Sequence, residues 1–193
     1  MSLSINSKNT THPVGIATQE SSCIAWFKLA ELITRKEKEK ALSLYRLLAH
    51  SFEDKAYVLQ IEGDILWSLE DNQALEKYQQ AAFLYKKEKN IINAIAIYEH
   101  LLILQPLNYD YLSTLIISYV LISWTEKFEE RYKLFLAQLD KKIINEEQVV
   151  GFTKKLIDLI NEEDIPEKDK FLKTLMSMLE KKNQKLVERV SQS

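Results

Sequence analysis

Residues 74–106 read ALEKYQQAAFLYKKEKNIINAIAIYEHLLILQP, and this stretch predicts two amphipathic helices joined by a polar turn at 87–90. Small and aromatic residues recur at steps of three and four in each helix. In the first helix they are Ala74, Tyr78, Ala81, Ala82 and Tyr85, and in the second Ala94, Tyr98, Leu101 and Leu102. Pro106 ends the second helix because it lacks an amide donor. Small residues opposite large ones allow antiparallel helices to pack closely.

The composition extends this prediction to the whole chain. The chain has 193 residues but only 3 glycines and 3 prolines, the residue types that most often form tight turns and hairpins. A chain of this length can bury a sizeable core as one domain, with room for an appended segment. An all-α fold is therefore predicted.

The charges are mixed along the sequence rather than separated into blocks. There are 26 basic and 28 acidic residues, and runs such as 35–40 alternate in sign, as solvated turns do. A nucleic-acid surface needs a stripe of one positive sign, which the sequence lacks. No nucleic-acid partner is therefore expected.

The longest uncharged run, at 111–125, is too short to span a membrane, which needs about 20 apolar residues. We expect no membrane insertion. The run instead predicts a helix that is apolar on most sides and is either central to a stack or covered by a partner.

The N-terminal region and the cysteine content both point to the cytoplasm. Residues 1–20 lack the basic start and apolar run of a signal peptide, and their polar composition predicts a disordered tail. The single cysteine, Cys23, cannot form an internal disulfide, which suits a reducing compartment. We expect its side chain to be buried as a small apolar residue.

The apolar periodicity predicts further helices on both sides of the opening stretch. The first begins near Ser21 or Ser22, and others cover 41–49, 56–69, a segment that starts at Asn108 or Asp110, 126–139, a segment after Asn145, and a last one that opens at 164–166. Residues from Lys181 onward are expected to fray.

A shift of the sequence by 33 residues brings similar residues together. It places Tyr45 on Tyr78 and Tyr111, and Ala41 on Ala74. Because aromatic and small positions return together at this spacing, the pattern indicates stacked structural units.

These positions resemble the tetratricopeptide repeat family, whose unit is a helix pair of about 34 residues. One unit is matched by Trp26, Leu29, Ala30, Ile33, Ala41, Tyr45 and Leu48, and the next by Leu59, Gly63, Leu66, Ala74, Tyr78 and Ala81. The resemblance covers about 24–124, and more loosely extends to 140. It implies a TPR-like α-α superhelix, a helix-pair solenoid, over 21–140.

Two repeat frames fit the sequence. The helix at 74–87 matches either the second half of one pair or the first half of the next, because 78–106 also fits a whole unit. The stack is the same in both frames, but which face is concave stays open.

The segment 141–193 lies beyond the period. Its helices would cap the open end of a stack, which otherwise exposes an apolar face. The alternative is a dimerisation or partner surface built from Phe171, Met176 and Met178, since methionine adapts to irregular contacts.

The resemblance also implies which residues would contact a partner, if the first and third helices line the groove. The partner-binding candidates are Phe27, Glu31, Arg35, Gln60, Asp64 and Trp67. Family members that clamp a terminal carboxylate use lysine and asparagine at such points, so this acidic and aromatic set favours a basic or apolar segment. The alternative is that Glu31 and Asp64 are ordinary solvated acids.

No residue pattern predicts catalysis, a metal site or a cofactor. His12, His50 and His100 lie far apart, without cysteines or carboxylates at ligand spacing, and no glycine-rich phosphate loop is present. The sequence therefore predicts a non-enzymatic adaptor or chaperone-like module that holds a partner segment in a concave groove. The alternatives are a homodimer formed through 111–124 or the C-terminal helices and, least favoured, an all-helical enzyme.

Overall fold

The structure, a computed structural model, describes the backbone of residues 14–192 and the side chains of residues 23–192. Within this range the chain forms ten helices and no strand, so the all-α prediction is confirmed. The helices are α1 (Val14–Thr34), α2 (Lys38–Ala49), α3 (Lys55–Ser68), α4 (Gln73–Lys87), α5 (Ile91–Leu104), α6 (Tyr109–Leu121), α7 (Thr125–Asp140), α8 (Glu146–Glu162), α9 (Lys168–Lys182) and α10 (Gln184–Ser191).

The two helices predicted in the opening stretch are confirmed as α4 and α5. All five small and aromatic positions of α4 are buried. The side chain of Asn90 caps α5 by accepting a hydrogen bond from the amide of Asn93, and α5 ends at Leu104, two residues before Pro106. Asn108 caps α6 and Asn145 caps α8, as their positions in the sequence predicted.

Three expectations about helix ends are corrected. Helix α1 begins at Val14 rather than near Ser21, so only 1–13 of the predicted tail stays outside the described residues. Helix α9 begins after Pro166, because Glu167 adopts a left-handed conformation with φ 57°.

The third correction concerns the C-terminus, where residues beyond Lys181 form α10 instead of fraying. The side chain of Asn183 caps this helix, and Leu186 and Val190 are buried where α10 packs on α8 and α9. Two apolar residues one turn apart are enough to hold a short amphipathic helix against a preformed surface.

The contacts divide the chain into two compact units, which meet in the sequence at Ala74 and Leu75. In the first unit α1 packs on α2, and α2 packs on α3. The ammonium group of Lys36, just after α1, donates to the carbonyl of Ser68 at the end of α3 (3.0 Å) and pairs with Glu70 (2.8 Å). The ends of α1 and α3 therefore lie side by side, and the two helices run in the same direction.

In the second unit, α6 packs against α5, α7 and α8. Seven of its thirteen residues are buried, so the predicted apolar helix is covered within the chain itself. Helix α7 contributes a run of buried rings, in which Tyr132 stacks on Phe128 and Phe135 at 5.7 Å. Phe135 also contacts Phe152 of α8, and Phe128 contacts Phe171 of α9. Helices α8 and α9 thus pack on α7 within this unit, and α10 packs on α8 and α9.

Contacts between residues one repeat apart occur in both units. Lys36 and Ser68 are separated by 32 residues, Gln79 and Tyr111 by 32, and Glu99 and Arg131 by 32. Each contact joins a helix, or the turn that follows it, to the next helix but one: α1 to α3, α4 to α6, and α5 to α7. The 33-residue sequence shift therefore corresponds to helices that lie next to one another.

Left-handed residues mark the turns in two separate registers. Lys36 and Glu70 have positive φ after α1 and α3, while Lys89 and Ser123 have positive φ after α4 and α6. Helix α4 is therefore preceded by a turn of the first register and followed by a turn of the second. This agrees with the two repeat frames that its sequence fits.

Candidate functional site

The six predicted partner-binding residues all lie in the first unit, three on or just after α1 and three on α3. Phe27 is 78% exposed and Trp67 is 48% exposed, so both aromatic side chains are available to a partner. Arg35 and Asp64 are exposed, and Glu31 and Gln60 are partly buried. The structure therefore places these residues at the surface.

Two further residues extend this surface, which we call the α1–α3 face. Ile24 and Tyr57 are exposed, and each lies three residues before Phe27 and Gln60 respectively. Helices α1 and α3 run in the same direction, and a shift of 33 residues places Ile24 on Tyr57 and Phe27 on Gln60. Each pair therefore occupies the same position in successive repeats. The sequence analysis missed Ile24 and Tyr57, although the three-residue helical spacing was a signal for both.

The acidic residue on the α1 side of the face is balanced by cations. Glu31 accepts a hydrogen bond from Lys28 (2.8 Å) and pairs with Arg35 (2.6 Å). The hydrogen bond from Lys28, followed by the charge of Arg35, lowers the pKa of Glu31. Because Glu31 is flanked by two positive charges, this side of the face carries no net negative charge.

The second unit contains an open groove between α5 and α7, which run side by side, and we call it the α5–α7 groove. Its volume is about 340 Å³. Leu102 and Leu112 line its buried side, and Ile103 and Leu134 stand exposed on α5 and α7. A volume of this size is at the lower end of the range for ligand pockets.

A hydrogen-bonded ion pair lies at one end of this groove. Arg131 donates to Glu99 through Nε (2.9 Å) and Nη2 (2.5 Å), and the hydroxyl of Tyr119 donates to the same carboxylate (2.5 Å). Burial alone would lower the pKa of Arg131, but the hydrogen bonds and charge of Glu99 outweigh burial and raise it. The pKa of Tyr119 is also raised, by burial and by its hydrogen bond to Glu99. The three groups therefore keep the guanidinium charged and the phenol neutral.

The sequence analysis did not predict the groove. Its lining comes from α5, α6 and α7, and no single helix carries enough of it to give a local pattern. The repeat spacing between Glu99 and Arg131 was the available signal, but opposite charges at that distance are common by chance.

Among residues 23–192, no group of three or more His, Cys, Asp and Glu side chains could hold a metal ion. No helix in the described part of the chain has the length and apolarity that a membrane span requires. No protein-family model, curated protein or solved structure matches this chain. The function is therefore argued from the α1–α3 face and the α5–α7 groove.

Proposed function

We propose that this protein is a non-enzymatic interaction module built from TPR-like helix pairs, and that its α1–α3 face binds an apolar segment of another protein. The observation that carries the proposal is the exposure of Ile24, Phe27 and Trp67 on two parallel helices of the same unit. Exposed apolar side chains clustered on a folded surface are typical of protein-binding sites.

The repeat part of the proposal is supported by contacts and turns. Hydrogen bonds between residues 32 positions apart occur in both units, and left-handed turn residues recur one repeat apart. A stack of helix pairs creates an extended surface on which corresponding residues of successive units lie in rows. The pairs Ile24 and Tyr57, and Phe27 and Gln60, form such a row.

The charges of the face favour an apolar rather than a basic partner. Since Lys28 and Arg35 compensate Glu31, a basic segment would gain little from α1. Aromatic side chains supply much of the energy in protein interfaces, which makes Phe27 and Trp67 the expected anchors. This chemistry suits an adaptor or a chaperone-like protein that covers an apolar segment. Cys23 is exposed rather than buried as expected, and its free thiol suits a reducing compartment such as the cytoplasm.

A homodimer formed through α6 or the C-terminal helices has less support. The apolar side chains of α6 are covered within the second unit, and Phe171 and Met178 are buried there as well. Met176, the third residue of the predicted dimerisation surface, is partly exposed. These residues together offer little surface to a second copy, which favours the capping role for the C-terminal helices.

The test is a selection of random-sequence displayed peptides on the full-length protein, followed by affinity measurements with variants. A Phe27→Ser, Trp67→Ala double variant should weaken the selected apolar peptides by about tenfold or more, because it removes both aromatic anchors. Circular dichroism should show unchanged helicity, since both side chains are exposed.

The matched control is Phe83→Ser, which removes an exposed phenylalanine of α4 that lies outside the face. This variant should bind like the wild type. Equal binding by the wild type and the double variant would refute the face as the site. An ultracentrifugation result in which the protein is a dimer that the double variant dissociates would instead assign the face to self-association.

A further inference from the structure

The α5–α7 groove has the shape of a site for a side chain. The Glu99–Arg131 pair lies at one end, Leu102 and Leu112 are buried along it, and Lys141 lies at the other end. Its aliphatic rim includes Ile103, which is 73% exposed. A large aliphatic side chain that enters from solvent would therefore contact carbon atoms from both flanking helices.

The lining also includes Gln138, whose side chain has an amide oxygen without a hydrogen-bond partner. Gln138 is 4% exposed, and its Oε1 atom is buried without a hydrogen-bond partner. A buried amide oxygen without a donor is costly and uncommon in folded proteins. Rotation about the terminal torsion exchanges the oxygen and nitrogen of the amide, so Gln138 can present either a donor or an acceptor. A peptide group of an extended segment offers the complementary pair of N–H and C=O.

The charges around the groove favour an acidic neighbour for that side chain. Glu99 and Arg131 neutralise one another, whereas Lys141 forms no ion pair with any residue that the structure describes. The end of the groove at Lys141 therefore carries a net positive charge. A carboxylate next to the inserted side chain would be attracted to it.

We propose that the α5–α7 groove is a second peptide-binding site, which takes an extended partner segment carrying a large aliphatic residue beside an aspartate or glutamate. The aliphatic side chain fills the space between Leu102 and Leu134, the main chain pairs with the amide of Gln138, and the acid pairs with Lys141. This site lies in the second unit and does not depend on the α1–α3 face.

The experiment uses random-sequence displayed peptides selected on the full-length protein, with affinities measured for each enriched class. One class should contain Leu or Ile next to Asp or Glu, and Ile103→Asp should weaken it by about tenfold or more, since the substitution removes apolar contact and its carboxylate repels the acid. Lys141→Glu should weaken the same class by about fivefold and reverse its salt dependence, because an attraction that salt screens becomes a repulsion that salt screens. Lys142→Glu, the matched control at the next position, lies outside this groove and should have little effect.

Gln138→Leu separates binding from folding. It should leave the thermal midpoint unchanged or raise it, because it removes a buried oxygen that has no donor. Peptide affinity should nevertheless fall by about threefold to tenfold, since the main-chain pairing is lost. A Gln138→Leu variant that binds as well as the wild type would overturn the role of this amide.

Other results would overturn the site itself. If no peptide class responds to Ile103→Asp, the groove does not bind peptides. If ultracentrifugation shows a wild-type dimer that Ile103→Asp converts to a monomer, the occupant is a second copy of the chain. The Phe27→Ser, Trp67→Ala variant should retain this peptide class, so failure at the α1–α3 face and failure at the groove are distinguishable.

Discussion

The α1–α3 face and the α5–α7 groove are both formed by two parallel helices one repeat apart, yet they offer different surfaces. In the first unit, the ion pair that links the neighbours, Lys36 with Glu70, is mostly in solvent, with side-chain exposures of 54% and 84%. In the second unit, the linking pair of Arg131 and Glu99 has exposures of only 16% and 24%. The same repeat spacing therefore accompanies two different surfaces. The exposed ion pair lies beside the open apolar surface of the α1–α3 face, and the buried ion pair lines the α5–α7 groove.

The cores beneath these two surfaces also differ. The first unit fills its centre with small and aliphatic residues around one tyrosine, as in Ala41, Leu42 and Tyr45. The second unit is filled by rings from α7, α8 and α9, including Phe135 and Phe152 at 4.9 Å. Large rings bury more apolar area per residue, so the second unit should depend more strongly on single core positions.

The largest expected effect tests this dependence. Phe135→Ala should lower the free energy of unfolding of the second unit by about 3–5 kcal/mol, because it removes a fully buried ring and leaves a cavity. The measurement is denaturant unfolding followed by Trp124 fluorescence, in a background where Trp26 and Trp67 are replaced by phenylalanine. Phe83→Ala, at an exposed ring, is the control and should change stability by well under 1 kcal/mol. A loss of similar size in both variants would contradict the aromatic core.

A smaller effect is expected from the linking ion pairs. Glu99→Gln should cost about 1–3 kcal/mol, because Arg131 and Tyr119 lose a charged acceptor in a half-buried site. Glu70→Gln should leave the unfolding midpoint unchanged, since the Lys36 contact is exposed and screened by water. A double-mutant cycle with Arg131→Leu isolates the coupling of the buried pair. If Glu99→Gln and Glu70→Gln changed the stability by the same amount, the proposed difference between the buried and the exposed ion pair would be wrong.

The smallest expected effect concerns the pH dependence of the first unit. The pKa of Asp71 is lowered by its hydrogen bond with Lys38 and by the amide of Gln73. A lowered pKa means that the stabilisation is present above the unfolded value of about 3.9 and is lost as the pH falls through the folded value. An NMR titration should therefore find the Asp71 midpoint below 3.9, and Lys38→Met should move it upward. An unchanged midpoint in Lys38→Met would exclude the ion pair as the cause.

The sequence predicted the structural features that depend on residues close together in the chain, and it missed those without a local pattern. Positions such as Tyr78 and Ala81 were predicted because helical periodicity is local, and the caps at Asn108 and Asn145 require only residues within one turn. The helix at 74–87 fits two repeat frames in the sequence, and these two frames agree with the two registers of left-handed turn residues. The start of α1 was predicted too late, and the polar residues before Ser21 gave no period from which Val14 could be found.

The candidate surfaces show the same division. Phe27 and Trp67 were chosen because the family resemblance implies that the first and third helices line a groove, and the structure shows that both side chains are exposed. The compensation of Glu31 by Lys28 and Arg35 was not predicted, although both cations lie within four residues of it, at the spacing of helical ion pairs. The Gln138 amide was not predictable, since its burial depends on residues from α5 and α6.

The sequence by itself predicted that the part of the chain described by the structure is all-helical, that similar residues recur after 33 positions, and which stripe of several helices is buried. These features follow from the spacing of side chains along one helix, which neighbouring residues set. Only the tertiary structure decided that α10 is a helix, that α8 and α9 pack on α7, and that α5 and α7 flank a groove lined by Gln138, whose buried amide oxygen has no hydrogen-bond partner. Each of these depends on the packing of side chains that lie far apart in the sequence, and the energy of that packing cannot be read from any local pattern.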